Sequence, residues 1–160
     1  MLNQKQNAYL IFILFVILTV LISAYMVEYK LGHEPCKLCI YQRIPYFLAI
    51  FLIIEALFFK KNVKMTLLLL SLIFVISAGL AFYHFGIEQG FFKESLACTT
   101  GNLSENITKE ELLKQLNQNI ISCKNVDFKI FGFSLAAINT IFSLILSVIL
   151  AKLFMNYGKN

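Results

Sequence analysis

Charge is what this sequence has least of: 14% of its 160 residues are Asp, Glu, Lys or Arg, against 59% hydrophobic and a mean hydropathy of +0.75. That balance lies far from a soluble globular domain. Long hydrophilic stretches are equally scarce. The one sizeable piece is residues 86–129, which leaves no room for a large soluble catalytic domain and puts any chemistry at a membrane surface. Acidic residues are missing from one set of flanks, where Lys5, Lys60, Lys61, Lys64, Lys152 and Lys159 border the apolar runs without Asp or Glu. By the positive-inside rule that side is cytoplasmic, so the net charge of +5 reflects topology and calls for no nucleic-acid partner. The other eight basic residues and eight of the nine acids fall on the opposite side, with Glu55 alone unassigned.

What the chain does have is four apolar runs, at 8–27, 40–59, 65–85 and 130–151. Each is about 20 residues, enough at about 1.5 Å per residue to cross a hydrocarbon core about 30 Å thick. The expected fold is an all-α membrane protein, a single transmembrane domain over residues 1–160 built as a four-transmembrane-helix bundle in the lipid bilayer, with both termini cytoplasmic. The first run is too long for a signal peptide and lacks an A-x-A site, so it reads as a retained anchor. Glu55 lies inside the second run, five residues from Lys60, where it can pair or reach the headgroups.

Both prolines flank one stretch, Pro35-Cys36-Lys37-Leu38-Cys39-Ile40-Tyr41-Gln42-Arg43-Ile44-Pro45. A C-x-x-C pair can close into a small disulfide, and the spacing lowers one thiol pKa, which suits electron exchange at neutral pH. Half of a zinc site or a structural disulfide would have the same spacing. Haem attachment is excluded because Ile40, not His, follows Cys39. If the segment is helical, Pro35 suits its first position, Cys36 falls in the first turn, and Cys39 and Arg43 share a face, so helix N–H groups and a guanidinium both favour a thiolate. Arg43 read alone is a cation snorkelling to the interface. Pro45 predicts a kink, and a helix starting only there would be too short to cross, so it must begin near Cys39 or earlier.

The third run ends at Tyr83-His84-Phe85, placing His84 at the same membrane face as Cys36, Cys39 and Arg43. There it can be a plain amphipathic end residue or an imidazole exchanging protons with a carbonyl ligand. The following loop holds Cys98 and Cys123, and its Thr108-Lys109-Glu110-Glu111 has capping-box form ahead of Leu112, Leu113, Leu116 and Ile120 on one face. A short amphipathic helix is expected in this second outer loop, lying on the membrane or on the bundle end. All four cysteines thus fall on the non-cytoplasmic side, where disulfides persist. Their three possible pairings stay open. A four-cysteine zinc site would need a short second knuckle, whereas 24 residues separate Cys98 from Cys123; no metal is expected.

The block Cys36-Lys37-Leu38-Cys39-Ile40-Tyr41-Gln42-Arg43, with Tyr83-His84, Ala97-Cys98, and Cys123 followed by Asp127-Phe128-Lys129-Ile130-Phe131-Gly132, resembles the DsbB family, inner-membrane proteins that reoxidise the periplasmic dithiol oxidase DsbA. The resemblance runs over nearly the whole chain and implies a quinone-dependent protein-disulfide oxidoreductase of the bacterial inner membrane. It implies that Cys98 accepts the thiolate of a periplasmic DsbA-like partner of thioredoxin fold. Cys123 would then pass the oxidising equivalent between the loop pair and Cys36, and Cys39 would face a membrane quinone, ubiquinone or menaquinone. Arg43 would stabilise the Cys39 thiolate and polarise the quinone, with His84 as a quinone neighbour. Two departures bear on this: Gln42 stands where the family commonly has Glu, and the chain has no Trp, so aromatic contacts after Cys123 fall to Phe128, Phe131 or Phe133. A DsbI-like paralogue serving one dedicated oxidase would share these features. A non-enzymatic four-helix protein pinned by structural disulfides remains the competing class, and the vitamin K epoxide reductase type usually carries its C-x-x-C late in the bundle.

Overall fold

The computed structural model describes residues 4–33, 35–59, 63–93, 123, 129–130 and 132–157. Four helical segments are long and apolar enough to cross a membrane: Asn7–Leu31, Lys37–Phe59, Val63–Glu88 and Leu135–Asn156. The protein is an all-α, four-helix, multi-pass membrane protein. Its helices are α1 (Gln4–Leu31), α2 (Lys37–Tyr41), α3 (Ile44–Phe59), α4 (Val63–Glu88) and α5 (Leu135–Asn156), with a two-residue antiparallel ladder of β1 (Lys129–Ile130) and β2 (Phe133–Ser134) ahead of α5. Phe12, Phe15, Phe51, Phe58 and Ile76 stand exposed on the outer surface, as lipid-facing side chains do and a water-soluble surface does not.

Lipid tails are as apolar as leucine, so the helices are held by close packing and polar contacts across the bundle. The most extensive interface is α4 against α5, and it is lined with small residues: Ser71, Ser77, Ala78 and Ala81 from α4, Ala136, Ala137, Ser143 and Ser147 from α5, all buried. Small side chains let the backbones approach, and Ser71 Oγ donates to the Ser147 carbonyl at 3.2 Å across the seam. A larger apolar cluster, including Leu10, Ile17, Ile53, Leu70, Phe74 and Leu150, fills the middle of the bundle.

Three expectations are corrected. The last span begins at Leu135, not at residue 130, because Gly132 takes φ 85° and turns the chain into the short ladder, and Ser134 then caps α5 by accepting from Ala137 N–H at 3.2 Å. Cys36 is not in the first helical turn: it is the N-cap of α2, extended at φ −68° and ψ 164°, and Pro35 lies outside the helix. The kink expected from Pro45 is a full break at Gln42–Arg43, where Arg43 N–H reaches back only to Ile40 and Tyr46 N–H reaches the Arg43 carbonyl. Glu55 is exposed on α3. Cys98, the expected loop helix over 108–120, Phe128, Phe131, Lys60 and Lys61 lie outside the described residues.

Candidate functional site

The break between α2 and α3 brings one end of every long helix to the same place. Residues from α2, the α2–α3 turn and the last turns of α4 converge there, and α1 and α5 close the sides. Cys36 is buried and Cys39 partly so; both are free thiols, with their Sγ atoms 2.9 Å apart. As N-cap, the Cys36 sulfur accepts the Cys39 backbone N–H at 3.3 Å, an arrangement that stabilises negative charge on sulfur at a helix start. The hydrogen bond from Cys39, with help from His84, holds the Cys36 thiol far below its ordinary value of 9.0, at about 4, against the opposing effect of burial.

His84 comes from α4 and is buried. Its Nε2 lies 3.5 Å from Cys36 Sγ and 3.6 Å from Glu88 Oε1, one turn further along α4. On its other side Nδ1 is 2.9 Å from the Gln42 amide nitrogen. The amide's orientation follows from a ladder that continues into the bundle: Asn139 Nδ2 donates to Gln42 Oε1 at 2.7 Å, and the Tyr46 hydroxyl donates to Asn139 Oδ1. Ser143 and Ser77 extend the ladder at 3.3 and 3.2 Å. With its oxygen occupied by Asn139, Gln42 offers N–H to His84, so Nδ1 is the bare nitrogen and the ring proton sits on Nε2, facing Cys36. A glutamate at position 42 would accept rather than donate, and would call for the other tautomer.

Arg43 sits elsewhere in this arrangement. The shared face with Cys39 required a continuous helix, and the break swings the guanidinium toward α1, where Nη1 donates to Glu28 Oε2 at 2.6 Å and the group lies 4.7 Å from the Tyr25 ring centroid. An arginine has five N–H donors, and the ion pair fixes the group at the side of the site without exhausting them. Cys123 is disulfide-bonded. It is buried in one cluster with Cys36, Leu38 and Ile87, against which Cys39 and Tyr83 pack. The site thus assembles Cys36, Cys39, His84 and Cys123, with Arg43 at its edge.

A family profile described as Disulfide bond formation protein DsbB matches residues 6–153 of the 160-residue chain. The chain belongs to the DsbB family. It is 31% identical over 140 residues to the Uncharacterized protein RP370 of Rickettsia prowazekii, covering 86% of this chain and 81% of that one. It is also 31% identical over 110 residues to the Disulfide bond formation protein B of Xylella fastidiosa, covering 65% and 64% respectively. No solved structure matches it significantly. As a DsbB-family member it is a disulfide bond formation protein.

Sequence reasoning missed Gln42, Tyr46, Asn139 and Glu88 as site components. The available signal was polar residues within apolar runs, which face the bundle rather than lipid: Asn139, Ser143 and Ser147 recur every fourth residue of α5. Asn139 is the junction of the ladder, and Asn139→Leu strands the Gln42 oxygen in the bundle and leaves the Tyr46 hydroxyl only the longer contact to Ser143. Interhelical hydrogen bonds in membranes are worth about 0.6 kcal/mol each and at most about 1.7. The variant is therefore expected to lose about 1–3 kcal/mol of stability in detergent unfolding, and a loss below about 0.5 kcal/mol would remove the ladder's structural importance.

Proposed function

We propose that this DsbB-family protein is a thiol-to-quinone oxidoreductase that reoxidises a periplasmic DsbA-like dithiol oxidase of thioredoxin fold. The observation that carries the reading is the burial of the free Cys36/Cys39 dithiol in one cluster with the disulfide-bonded Cys123, with the His84 Nε2 3.5 Å from Cys36. In this reading the partner's thiolate attacks Cys98 of a Cys98–Cys123 disulfide and releases Cys123 as a thiolate. Cys123 then attacks Cys36 of a Cys36–Cys39 disulfide and releases Cys39. Resolution leaves the partner oxidised, the loop pair closed again and two electrons on Cys36 and Cys39. Closing those two thiols to a disulfide gives up two electrons and two protons, which a membrane quinone takes up as quinol.

The residues fit such a substrate. Cys39 is the more exposed thiol, the Arg43 guanidinium stands in the turn ahead of α3, paired with Glu28 of α1, and His84 carries its ring proton toward the sulfur. A cation and an imidazole suit developing negative charge on a thiolate or a quinone oxygen. The basic flanks support a topology with both termini in the cytoplasm and the cysteines on the periplasmic side of the bacterial inner membrane. The test is quinone reduction by the purified full-length chain in detergent, with a reduced DsbA-type dithiol as donor and ubiquinone or menaquinone as acceptor. Steady turnover with at least one quinone is expected. No turnover with either, from protein whose cysteines are all locked in disulfides, would favour a structural role for the pairs.

A further inference from the structure

The second carboxylate oxygen of Glu88 is buried and has no hydrogen-bond partner among the described residues, although its side chain is only 6% exposed. A buried carboxylate is stable only when paired or coordinated. The nearby Arg43 is paired with Glu28. What stands next to Glu88 is the His84 ring, and beyond it two sulfurs: Cys36 Sγ, Cys39 Sγ and a His84 nitrogen all lie within 4.8 Å of one another. Two thiols, an imidazole and a carboxylate with a spare oxygen form an electron-rich pocket with no cationic side chain paired to Glu88 among the described residues.

We propose that the reduced form of this protein holds a divalent zinc-type cation, with Cys36, Cys39 and His84 as ligands and Glu88 closing the fourth position. Zinc–sulfur bonds of about 2.3 Å and zinc–nitrogen bonds of about 2.0 Å place ligands of a tetrahedron about 3.3–3.8 Å apart. The Cys36–His84 separation of 3.5 Å and the His84–Glu88 separation of 3.6 Å already match. The sulfurs, at 2.9 Å, must spread, which a rotation of the partly buried Cys39 side chain provides, and the Glu88 carboxylate, which lies outside the 4.8 Å group of the other three ligands, must swing inward. Soft thiolates and imidazole select zinc and its congeners over magnesium or calcium. Binding at Nε2 requires the ring proton on Nδ1, and the polar ladder accommodates that. With both amides turned over, Gln42 Oε1 accepts from His84, Gln42 donates to Asn139, and the Tyr46 hydroxyl donates to Ser143. A ligating histidine held by an acceptor on its other nitrogen is the usual support for such sites.

The site is redox-gated: a Cys36–Cys39 disulfide removes two of its ligands. Conversely, the bound cation displaces the remaining thiol protons to solvent and keeps both sulfurs from joining, so it holds the dithiol in an off state. No electrons move in this step. The binding claim does not depend on the proposed quinone chemistry.

The test is a zinc titration against a chromophoric chelator, with cobalt as a spectroscopic substitute. It uses the full-length Cys98→Ser/Cys123→Ser protein in detergent, in which Cys36 and Cys39 are the only thiols. If that variant is not monodisperse, wild type reduced by one electron pair, with free thiols mapped to Cys36 and Cys39, takes its place. The expected result is one metal per reduced chain, a tetrahedral cobalt spectrum with thiolate charge transfer, and loss of binding on oxidation. Glu88→Gln and His84→Ala should each weaken binding by about 10–100-fold, the range even supporting groups produce. Equal affinity in both variants would reduce the site to an ordinary dithiol and overturn the proposal, as would undiminished binding by the oxidised chain. Because the readout is binding, a failure here leaves quinone turnover unaffected, and a failure of turnover leaves the metal site standing.

Discussion

Cys39→Ser is expected to stop electron flow to quinone: no Cys36–Cys39 disulfide can form, and the Cys36 thiolate can only attack Cys123 of a Cys98–Cys123 disulfide and release Cys98, so that a species with Cys36 joined to Cys123 accumulates. Turnover should fall by about three orders of magnitude or more, because groups that act as one unit fail together. The geometry distinguishes this variant from Cys36→Ser. Cys36 is the sulfur that contacts everything else in the site: Cys39, the Cys39 backbone N–H, His84 and the cluster containing Cys123. Without it the loop pair has no sulfur to exchange with, and turnover stops with no trapped intermediate. Without Cys39 the exchange can begin at Cys36 but cannot be resolved. Non-reducing peptide mapping of the purified variants, without added reductant, checks this. Finding the trapped bond at Cys39 in the Cys36→Ser protein, and none in Cys39→Ser, would reverse the order of the two thiols.

The bundle was legible in the sequence because hydrophobic spans depend on length and composition alone, and 20 apolar residues can do little in water. The spans are read from 8–27, 40–59, 65–85 and 130–151, and the largest misplacement is at the last, where Phe133 and Ile130 look like the start of a helix. Local turn chemistry decides otherwise: a glycine at positive φ and a serine cap set the start at Leu135. The thiol pair and His84 were legible for different reasons, the first from spacing and the second from its place at the outer end of a span, level with the cysteines. The partners of His84 were not. Gln42 and Asn139 are 97 residues apart, and only helix order in space joins them. Glu88 looked like the start of a polar loop, yet α4 continues through it and carries it into the site. Arg43 illustrates the opposite failure: its spacing from Cys39 promised a shared face, and two non-helical residues were enough to cancel it.

Ionisation of Cys36 in the reduced protein is expected at about pH 4 instead of 9.0, a shift large enough to keep the group a thiolate at neutral pH. The causes are local: the hydrogen bond from Cys39 contributes most, His84 adds a hydrogen bond and its charge, and burial opposes both. For an acidic group with a depressed folded-state value, the sign is fixed by linkage. Its contribution to stability is fully present above the unfolded value near 9.0 and is lost as pH falls through about 4. The reduced protein should therefore lose stability on acidification more steeply than a Cys36→Ser variant. The direct check is the ultraviolet thiolate absorbance of the reduced Cys98→Ser/Cys123→Ser chain, which should persist from neutral pH down to about pH 4–5 and disappear in the same protein carrying Cys36→Ser. The low value also bears on rate in both directions. A stabilised thiolate is a weaker nucleophile but a better leaving group, so Cys36 is suited to being released from Cys123 when Cys98 attacks Cys123 and closes the loop pair. An absorbance that rises only between about pH 8 and 9 would mean that the N-cap and the imidazole do not hold charge on this sulfur, and Cys36 would have no advantage as a leaving group.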